Sequence, residues 1–187
     1  MIDPVNITNF NLSKVELEEM LLFWICAAGK NAITASKSLD KFLTMIHGHK
    51  RPFAAILANG YAGLDLKMKA CGIGCYSNKA ETFWQLATSG LDLKKCSTDD
   101  LETIFGIGRK TSRCFIMHSR KHARCGGLDV HILHYLSDQG FSVPKQTPSS
   151  KKEYTRVENI FLELADKSGQ STADFDLSIW KKYSGRV

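Results

Sequence analysis

The segment 97–136 contains two helix-forming patterns that are joined by the sequence Gly-Ile-Gly. Ser97 followed by Asp100 predicts a capping box that opens a short first helix. Gly106 and Gly108 then predict a tight turn, because glycine adopts backbone conformations that other residues avoid. A second helix is predicted to start directly after Gly108. The segment therefore predicts two helices joined by a sharp hairpin, and the rest of the chain must fold around this unit.

The rest of the chain also has helical patterns. Apolar residues recur at helical spacing, and the sequence contains no convincing period-two run, internal repeat or low-complexity tract. The predicted helices run over about 14–28, from a cap at Asn31 to Gly48, over 52–59 and 77–87, from a capping box at Ser150 and Glu153, and through Leu177 and Trp180. With 187 residues, the chain can bury one substantial core in one or two lobes. The sequence predicts the all-α class.

Composition and charge limit the class of partner without choosing one. The formal net charge is +6 and the pI is near 9.0, which suits nucleic acid or another anionic surface. The N-terminus lacks the pattern of a secretion signal, and the apolar run from Met20 to Ala28 is too short to span a bilayer. Six cysteines without a CxxC pair indicate reduced thiols rather than a disulfide framework. We therefore expect a soluble, intracellular protein.

The hairpin has the features of an anion-binding site. Glycine amides next to the positive end of a helix dipole can bind phosphate, and phosphates carry no base sequence. Between Gly106 and Leu128 the basic residues are Arg109, Lys110, Arg113, Arg120, Lys121 and Arg124, and no acidic residue occurs. The alternative is a basic helix face that is simply solvated. Because the basic run adjoins a glycine hairpin, the sequence favours nucleic-acid binding.

Three stretches resemble the base-excision DNA glycosylases of the helix-hairpin-helix/GPD superfamily, which includes endonuclease III and the 8-oxoguanine glycosylases. IFGIGRKT is similar to the hairpin with its lysine, LDVHILHYL to the stretch with the aspartate, and GIGCYSNKAETF to a segment further upstream. The resemblance implies an all-α fold of two helical lobes with DNA in the cleft between them. Residues 14–127, with a helix-hairpin-helix over 98–120, would form a helical barrel lobe. Residues 128–187, with or without the arm 1–13, would form the second lobe.

The resemblance assigns the chemistry to two residues. Lys110, the lysine of GIGRKT, becomes the nucleophile that forms a Schiff base with the sugar, and Asp129 becomes the carboxylate that stabilises the sugar or accepts a proton. Independently, a position in the first turn of a helix beside Arg109 and Arg113 is expected to lower the pKa of Lys110. Asp129 can cap the next helix in ionised form. The alternatives are an exposed lysine at a helix start and an ordinary Asp cap.

Further site residues follow from the resemblance. His131 takes the place of a histidine that lies near the lesion phosphate in 8-oxoguanine glycosylases. The C-terminal stretch DFDLSIWKKYSGRV resembles that of the small archaeal 8-oxoguanine glycosylases, so Trp180 is a base-stacking candidate, with a core position as the alternative. The turn at Ala28 and Gly29 corresponds to the lesion-contacting turn, and Cys75 stands where endonuclease III has an apolar wedge. The predicted DNA contacts are Gly106, Gly108, Arg109, Thr111, Arg113 and His131.

No metal or cofactor is expected. Many endonuclease III relatives hold an iron–sulfur cluster on four cysteines after the catalytic aspartate, whereas no cysteine follows Cys125 in this sequence. Cys114, His118, His122 and Cys125 lack the paired CxxC spacing of a structural zinc site. A buried Cys114 and histidines close to DNA are the favoured interpretation.

The resemblance therefore implies a bifunctional DNA glycosylase and AP lyase of base-excision repair that binds damaged double-stranded DNA as a monomer. It would flip out an oxidised base, with 8-oxoguanine preferred, excise it through a lysine Schiff base and cleave the strand by β-elimination. The alternatives are a glycosylase for oxidised pyrimidines, as in endonuclease III, and a non-catalytic helix-hairpin-helix module that only binds DNA. The expected location is the cytoplasm or nucleoid, or the nucleus of a eukaryote, without membrane association.

Overall fold

The structure, a computed structural model, describes residues 1–184, and within these a 3-10 turn at Pro4–Asn6 precedes ten α-helices. The helices are α1 (Lys14–Ala27), α2 (Ala32–Met45), α3 (Pro52–Asn59), α4 (Leu64–Ala70), α5 (Tyr76–Ser89), α6 (Thr98–Glu102), α7 (Arg109–Ser119), α8 (Val130–Asp138), α9 (Lys151–Ser168) and α10 (Thr172–Tyr183). Residues 185–187, the last three of the C-terminal motif, lie outside the described range. The described part of the chain contains no strand, so the predicted all-α class is confirmed. None of its helices combines the length and the apolar character that crossing a bilayer requires.

Several helices begin at the caps that the sequence predicts. The hydroxyls of Ser13 and Ser97 each accept a hydrogen bond from the backbone N–H three residues ahead, and the carboxylates of Glu16 and Asp100 complete both capping boxes. Asn31 caps α2 through its side chain. Hydrogen bonds from Ser13 hold the pKa of Glu16 below its usual value. These helix starts are therefore fixed by interactions that are local in the sequence.

Two expectations differ from the structure. The capping box predicted at Ser150 is only half formed, because the Ser150 hydroxyl accepts from the Glu153 backbone N–H while the Glu153 carboxylate pairs with Arg156 at 2.7 Å. A guanidinium is a charged donor and binds a carboxylate more strongly than a backbone amide does. The helix α4 was not predicted, because its seven residues are too few to establish a helical period.

The chain divides into two compact units. The first contains residues 1–7 and 11–115, and the second contains residues 8–10 and 116–187. The boundary between the units falls inside α7. The lobe boundary that the resemblance implies, after residue 127, stays a prediction.

The first unit is built around α1. Leu21, Leu22 and Phe23 occupy consecutive positions of this helix and are all fully buried, as expected for a helix that is apolar on every side. The helices α2, α3 and α5 pack against it. Phe42 of α2 and Phe83 of α5 meet edge to face, with ring centroids 5.8 Å apart. This packing encloses α1 and fixes the side chains along its C-terminal half.

The second unit is built from α8, α9 and α10, which contact one another in pairs. Phe175 of α10 lies at the centre of an aromatic cluster, with ring centroids 5.7 Å from Tyr135 and 5.4 Å from Phe161. Phe161 is fully buried and Phe175 nearly so. The cluster holds α8 against the other two helices and so fixes the position where α8 begins.

Candidate functional site

The hairpin between α6 and α7 rests on α5. Gly106 has a φ of +80°, a conformation that favours glycine, and a Cβ at this position would press on the Thr82 hydroxyl. The backbone N–H of Phe105 donates a 2.9 Å hydrogen bond to the side-chain oxygen of Gln85. Thr82 and Gln85 lie one turn apart on α5. The fold therefore requires glycine at position 106 for packing as well as for backbone conformation.

Gly108 is in a different situation from Gly106. It is exposed, and a Cβ built on it would meet no atom within 4 Å. Between the two glycines, Ile107 is only 4% exposed and anchors the turn in the core. Packing inside the protein therefore does not require glycine at position 108, and the open space beside it is available to a ligand.

Glu102, at the end of α6, pairs with positively charged side chains at the start of α7. Its carboxylate accepts a 2.6 Å hydrogen bond from the Arg113 guanidinium and a 2.8 Å hydrogen bond from the Ser112 hydroxyl. The Arg109 guanidinium lies 4.0 Å from the same carboxylate. Glu102 lies just before the stretch without acidic residues that the sequence shows. Because its carboxylate pairs with these arginines, it offsets part of the positive field that the stretch alone would produce. Arg113 is buried in this arrangement, and its role as a DNA contact stays a prediction.

Lys110 lies in the first turn of α7 and is half-buried. Its Nζ atom lies over the indole ring of Trp24, 5.6 Å from the ring centroid. A cation within about 6 Å of an aromatic centroid is attracted by the negative face of the ring. Trp24 belongs to the C-terminal half of α1 and is itself half-buried. Trp24 was not predicted as a site residue, because nothing in the pattern of α1 distinguishes it from its apolar neighbours.

The C-terminal end of α1 leads into the turn that was predicted to line a base pocket. Ala28 and Gly29 are both exposed, and Gly29 has a φ of +68°. Just before this turn, Lys79 of α5 donates a 2.9 Å hydrogen bond to the Cys26 carbonyl. Burial lowers the pKa of the Lys79 ammonium and raises the pKa of the Cys26 thiol to about 12. The first unit therefore also contains a buried amine at Lys79, which no feature of the sequence distinguishes.

Asp129 caps α8, as the sequence predicts. Its Oδ1 atom accepts hydrogen bonds from the backbone N–H groups of His131 at 2.9 Å and Ile132 at 3.0 Å. The carboxylate remains partly exposed, and so does His131. Asp129 lies in the second unit, whereas Lys110 lies in the first. The structure thus gives a partly accessible carboxylate whose orientation is fixed by its own helix.

The turn that precedes Asp129 is held by α9. The Tyr154 hydroxyl donates to the Gly126 carbonyl at 2.9 Å and accepts from the Leu128 N–H at 3.0 Å. The buried Glu158 carboxylate accepts from the Gly126 N–H at 2.9 Å. A Cβ on Gly126 would lie 2.6 Å from the Phe161 ring. The sequence contains no signal for Glu158, since a buried carboxylate has no distinctive pattern.

The remaining predicted residues lie in varied surroundings. Thr111 is buried in α7, and Trp180 is partly exposed on α10. Cys114 is buried, as expected. His118 is fully buried, with Nδ1 2.8 Å from the Thr8 hydroxyl and Nε2 3.3 Å from the Asp176 carboxylate. Within residues 1–184, no three His, Cys, Asp or Glu side chains form a group that could hold a metal ion.

Comparison with known proteins gives relatives by sequence and by structure. No protein-family profile matches the chain. An 8-oxoguanine DNA glycosylase/AP lyase from Thermoplasma volcanium is 36% identical over 98 residues, which are 52% of this chain and 46% of the relative. The chain thus spans about half the length of this relative.

Two solved structures have the same fold. One is the 8-oxoguanine glycosylase/lyase of Methanocaldococcus jannaschii in complex with a 15mer DNA containing 8-oxoguanine, which superposes with a TM-score of 0.73 at 23% identity. The superposed region is 95% of this chain and 84% of the Methanocaldococcus jannaschii chain. The 8-oxoguanine DNA glycosylase of Thermotoga maritima superposes with a TM-score of 0.74 at 22% identity, covering 94% and 83%. These findings confirm that the chain has the all-helical fold of these two 8-oxoguanine glycosylase structures.

Proposed function

We propose that this chain, which has the fold of the helix-hairpin-helix/GPD glycosylases, is a bifunctional DNA glycosylase and AP lyase. The observation that carries the proposal is the Lys110 amine, which lies in the first turn after a glycine hairpin and against the face of Trp24. A DNA clamp needs the hairpin but has no use for an amine held in this way. The name of the Thermoplasma volcanium relative, 8-oxoguanine DNA glycosylase/AP lyase, supports the same activity.

The hairpin is proposed to bind the DNA backbone. Gly108 is exposed with open space beside it, so a phosphate oxygen can approach the backbone amides at the start of α7. Arg109, whose side chain is about one quarter exposed at 28%, is the proposed charged contact. Gly106 contributes through the shape of the turn. Such contacts hold the duplex in register without reading its sequence.

Lys110 is the proposed nucleophile. Its free amine attacks the anomeric carbon of the sugar, the bond from that carbon to the base breaks, and the base leaves with a proton. The nitrogen then gives a proton to the ring oxygen, the bond from the anomeric carbon to that oxygen breaks, and the opened sugar is left joined to Lys110 as a Schiff base. The Schiff base acidifies the neighbouring C2′ hydrogen, and removal of that hydrogen expels the 3′ phosphate by β-elimination. The sequence of steps uses only an amine and proton transfers, so it requires no metal or cofactor.

Asp129 is the proposed carboxylate of the reaction. As a helix cap it accepts backbone hydrogen bonds through Oδ1, which hold the carboxylate in place at the start of α8. A fixed negative charge stabilises the oxocarbenium-like sugar as the base leaves, or accepts the proton from the attacking amine. His131, which follows on the same helix, is the proposed partner of the lesion phosphate.

The substrate is proposed to be damaged double-stranded DNA with an oxidised base, 8-oxoguanine before oxidised pyrimidines. A base inside a duplex cannot be reached, so the nucleotide must rotate out, which costs a few kcal/mol. The exposed turn at Ala28 and Gly29 and the partly exposed Trp180 are the proposed contacts of the flipped base. We expect the protein to act as a monomer inside the cell, where this substrate occurs.

The proposal is tested with duplexes that each carry one feature: 8-oxoguanine, an oxidised pyrimidine, an abasic site or no damage. Base release is scored after alkali, and strand cleavage is scored without alkali. We expect direct cleavage of the 8-oxoguanine duplex, slower cleavage of the oxidised-pyrimidine duplex, and none of the undamaged one. A protein that binds all four duplexes and cleaves none, including the abasic one, would be a non-catalytic binding module.

A further inference from the structure

The indole of Trp24 faces the amine that the proposed reaction uses. Trp24 lies on α1 and Lys110 on α7, and the two meet with Nζ 5.6 Å from the ring centroid. A lysine side chain has a flexible four-carbon stem, so a ring against its end narrows the range of positions that the amine can occupy. The ring of Trp24 thus supplies a surface that helps to orient the Lys110 amine.

We propose that Trp24 is a positioning residue for Lys110, which holds the amine as an ammonium in the resting enzyme and directs it for attack. The inference rests on the proposed function. Indole binds cations better than the other aromatic rings do, because its face carries the most negative potential. The ring thus favours the protonated amine, while its bulk limits where the amine can go once the proton has left.

The charged groups around Lys110 also influence the protonation of its amine, and they partly cancel one another. On α7 itself, Arg109 and Arg113 disfavour a further positive charge. Glu102 of α6 offsets both of them, since its carboxylate pairs with Arg113 at 2.6 Å and lies 4.0 Å from Arg109. On the side of α5, the Lys79 ammonium donates to the Cys26 carbonyl of α1. The indole face is thus one of several influences on the amine, and it can be varied without touching the charges.

The test varies the ring in steps and measures the rate of Schiff-base formation on an abasic duplex as a function of pH. Fluorinated tryptophans, inserted at position 24 alone, weaken the cation–ring attraction and keep the shape. We expect the acid limb of the profile to move to lower pH by up to about half a unit along the series, with the plateau rate unchanged. Trp24→Leu removes the ring and should also lower the plateau about tenfold or more, because orientation is lost. Trp24→Phe should fall between these results.

Trp84 provides the matched control. It belongs to the same unit and its ring lies 5.8 Å from that of Tyr61, so fluorination there tests the effect of the label and of a packed indole without a lysine. Fluorination of Trp84 should change neither the pH of the acid limb nor the plateau rate of Schiff-base formation. All variants should bind DNA with an affinity within twofold of the wild type. An acid limb that stays at the same pH along the fluorinated Trp24 series overturns the positioning role, and so does a wild-type plateau rate in a folded Trp24→Leu protein. A wild-type protein that forms no Schiff base on any duplex overturns the proposed function instead.

Should Trp24→Leu fail to fold, the fluorinated series still decides the matter, because it leaves the volume of the side chain almost unchanged. A second readout needs no DNA. The ring current of an indole shifts the NMR signals of protons above its face, so the Lys110 Hε signals should lie upfield of their usual chemical shift in the wild type. In Trp24→Phe, a measurable part of this upfield shift should be lost. Unshifted Lys110 signals in the wild type would contradict the contact.

Discussion

Lys110 and Asp129 both lie at a helix start, but their surroundings arise in different ways. Asp129 accepts hydrogen bonds from the backbone of His131 and Ile132, two and three positions ahead. Lys110 lies over Trp24, which belongs to the first helix of the chain. A carboxylate can be oriented by the helix that it caps, whereas a flexible amine at a helix start depends on residues that the fold brings to it. One of these two candidate residues is thus oriented locally, and the surroundings of the other are defined by tertiary packing.

The largest effect is expected from Asp129→Asn, which separates the cap from the charge. Asparagine also caps helices, so α8 should form and the thermal unfolding midpoint should change little. Base release under single-turnover conditions should slow about 100-fold to 1,000-fold, because the negative charge at the sugar is lost. Asp3→Asn is the matched control, since Asp3 also caps a helical turn through its side chain. Wild-type rates in a folded Asp129→Asn protein would leave Asp129 with a capping role only.

The charge balance at the start of α7 gives the next effect. Glu102→Gln keeps the size of the side chain but removes the negative charge that pairs with the Arg113 guanidinium, whose side chain is only 10% exposed. We expect a loss of about 3 kcal/mol in the free energy of unfolding, measured by urea denaturation.

An exposed ion pair serves as the control for Glu102. Arg124 and Asp166 form a bidentate pair with side chains that are 64% and 52% exposed. Asp166→Asn should cost less than about 1 kcal/mol, because solvent screens the pair. Equal losses of unfolding free energy in Glu102→Gln and Asp166→Asn would contradict the expectation that the buried pair contributes more than the exposed one.

The two glycines of the hairpin should respond differently to substitution. Gly106→Ala forces an alanine to a φ of +80° and against Thr82, so it should destabilise the fold by about 1 to 2 kcal/mol or more. Gly108→Val meets open space and should keep the stability, yet weaken binding to lesion and undamaged duplexes alike by about tenfold, since one charged hydrogen bond is obstructed. Fluorescence anisotropy over a range of salt concentrations measures this, with log K falling by about 0.9 for each phosphate neutralised. Unchanged affinity in Gly108→Val would remove the hairpin from the DNA interface.

A smaller effect is expected at α6, whose start is defined locally like that of α8. The pKa of Asp100 is lowered mainly by the backbone N–H of Ser97 and then by the Ser97 hydroxyl. A depressed pKa in the folded state stabilises the protein above the unfolded value and loses that contribution as the pH falls through the folded value. Between about pH 5 and pH 2, the wild type should therefore lose slightly more stability than Asp100→Asn. If the unfolding midpoints of the wild type and of Asp100→Asn change in parallel with pH, the capping box at Ser97 and Asp100 does not contribute to the pH dependence of stability.

The locally defined features are the ones that the sequence predicted well. The capping boxes at Ser13 and Ser97 and the caps at Asn31 and Asp129 follow from short-range patterns, and the structure contains all four. At Ser150 the same kind of pattern predicted a full box, but Arg156 competes for the Glu153 carboxylate. Competition from a side chain one turn ahead is difficult to read from spacing alone.

The features that depend on tertiary packing were missed. Trp24 has the same pattern as any buried aromatic residue in α1, and its place beneath Lys110 arises only from the packing of the first unit. Glu158, which holds the turn before Asp129, is a buried carboxylate on a helix whose other charged residues face solvent. Lys79 belongs to a motif that the sequence did single out, yet its burial against the Cys26 carbonyl could not be inferred from it.

The central claim is that Lys110, and not another amine, attacks the sugar. The direct test adds borohydride during turnover on an 8-oxoguanine duplex and maps the trapped residue by peptide mass spectrometry, for the wild type, Lys110→Ala and Lys79→Met. Lys79 is the appropriate control because it is a buried amine in the same unit with a lowered pKa. We expect an adduct on Lys110 in the wild type and in Lys79→Met, and none in Lys110→Ala, which should still bind the lesion. An adduct of undiminished yield in Lys110→Ala, or one that maps to Lys79, would contradict the account.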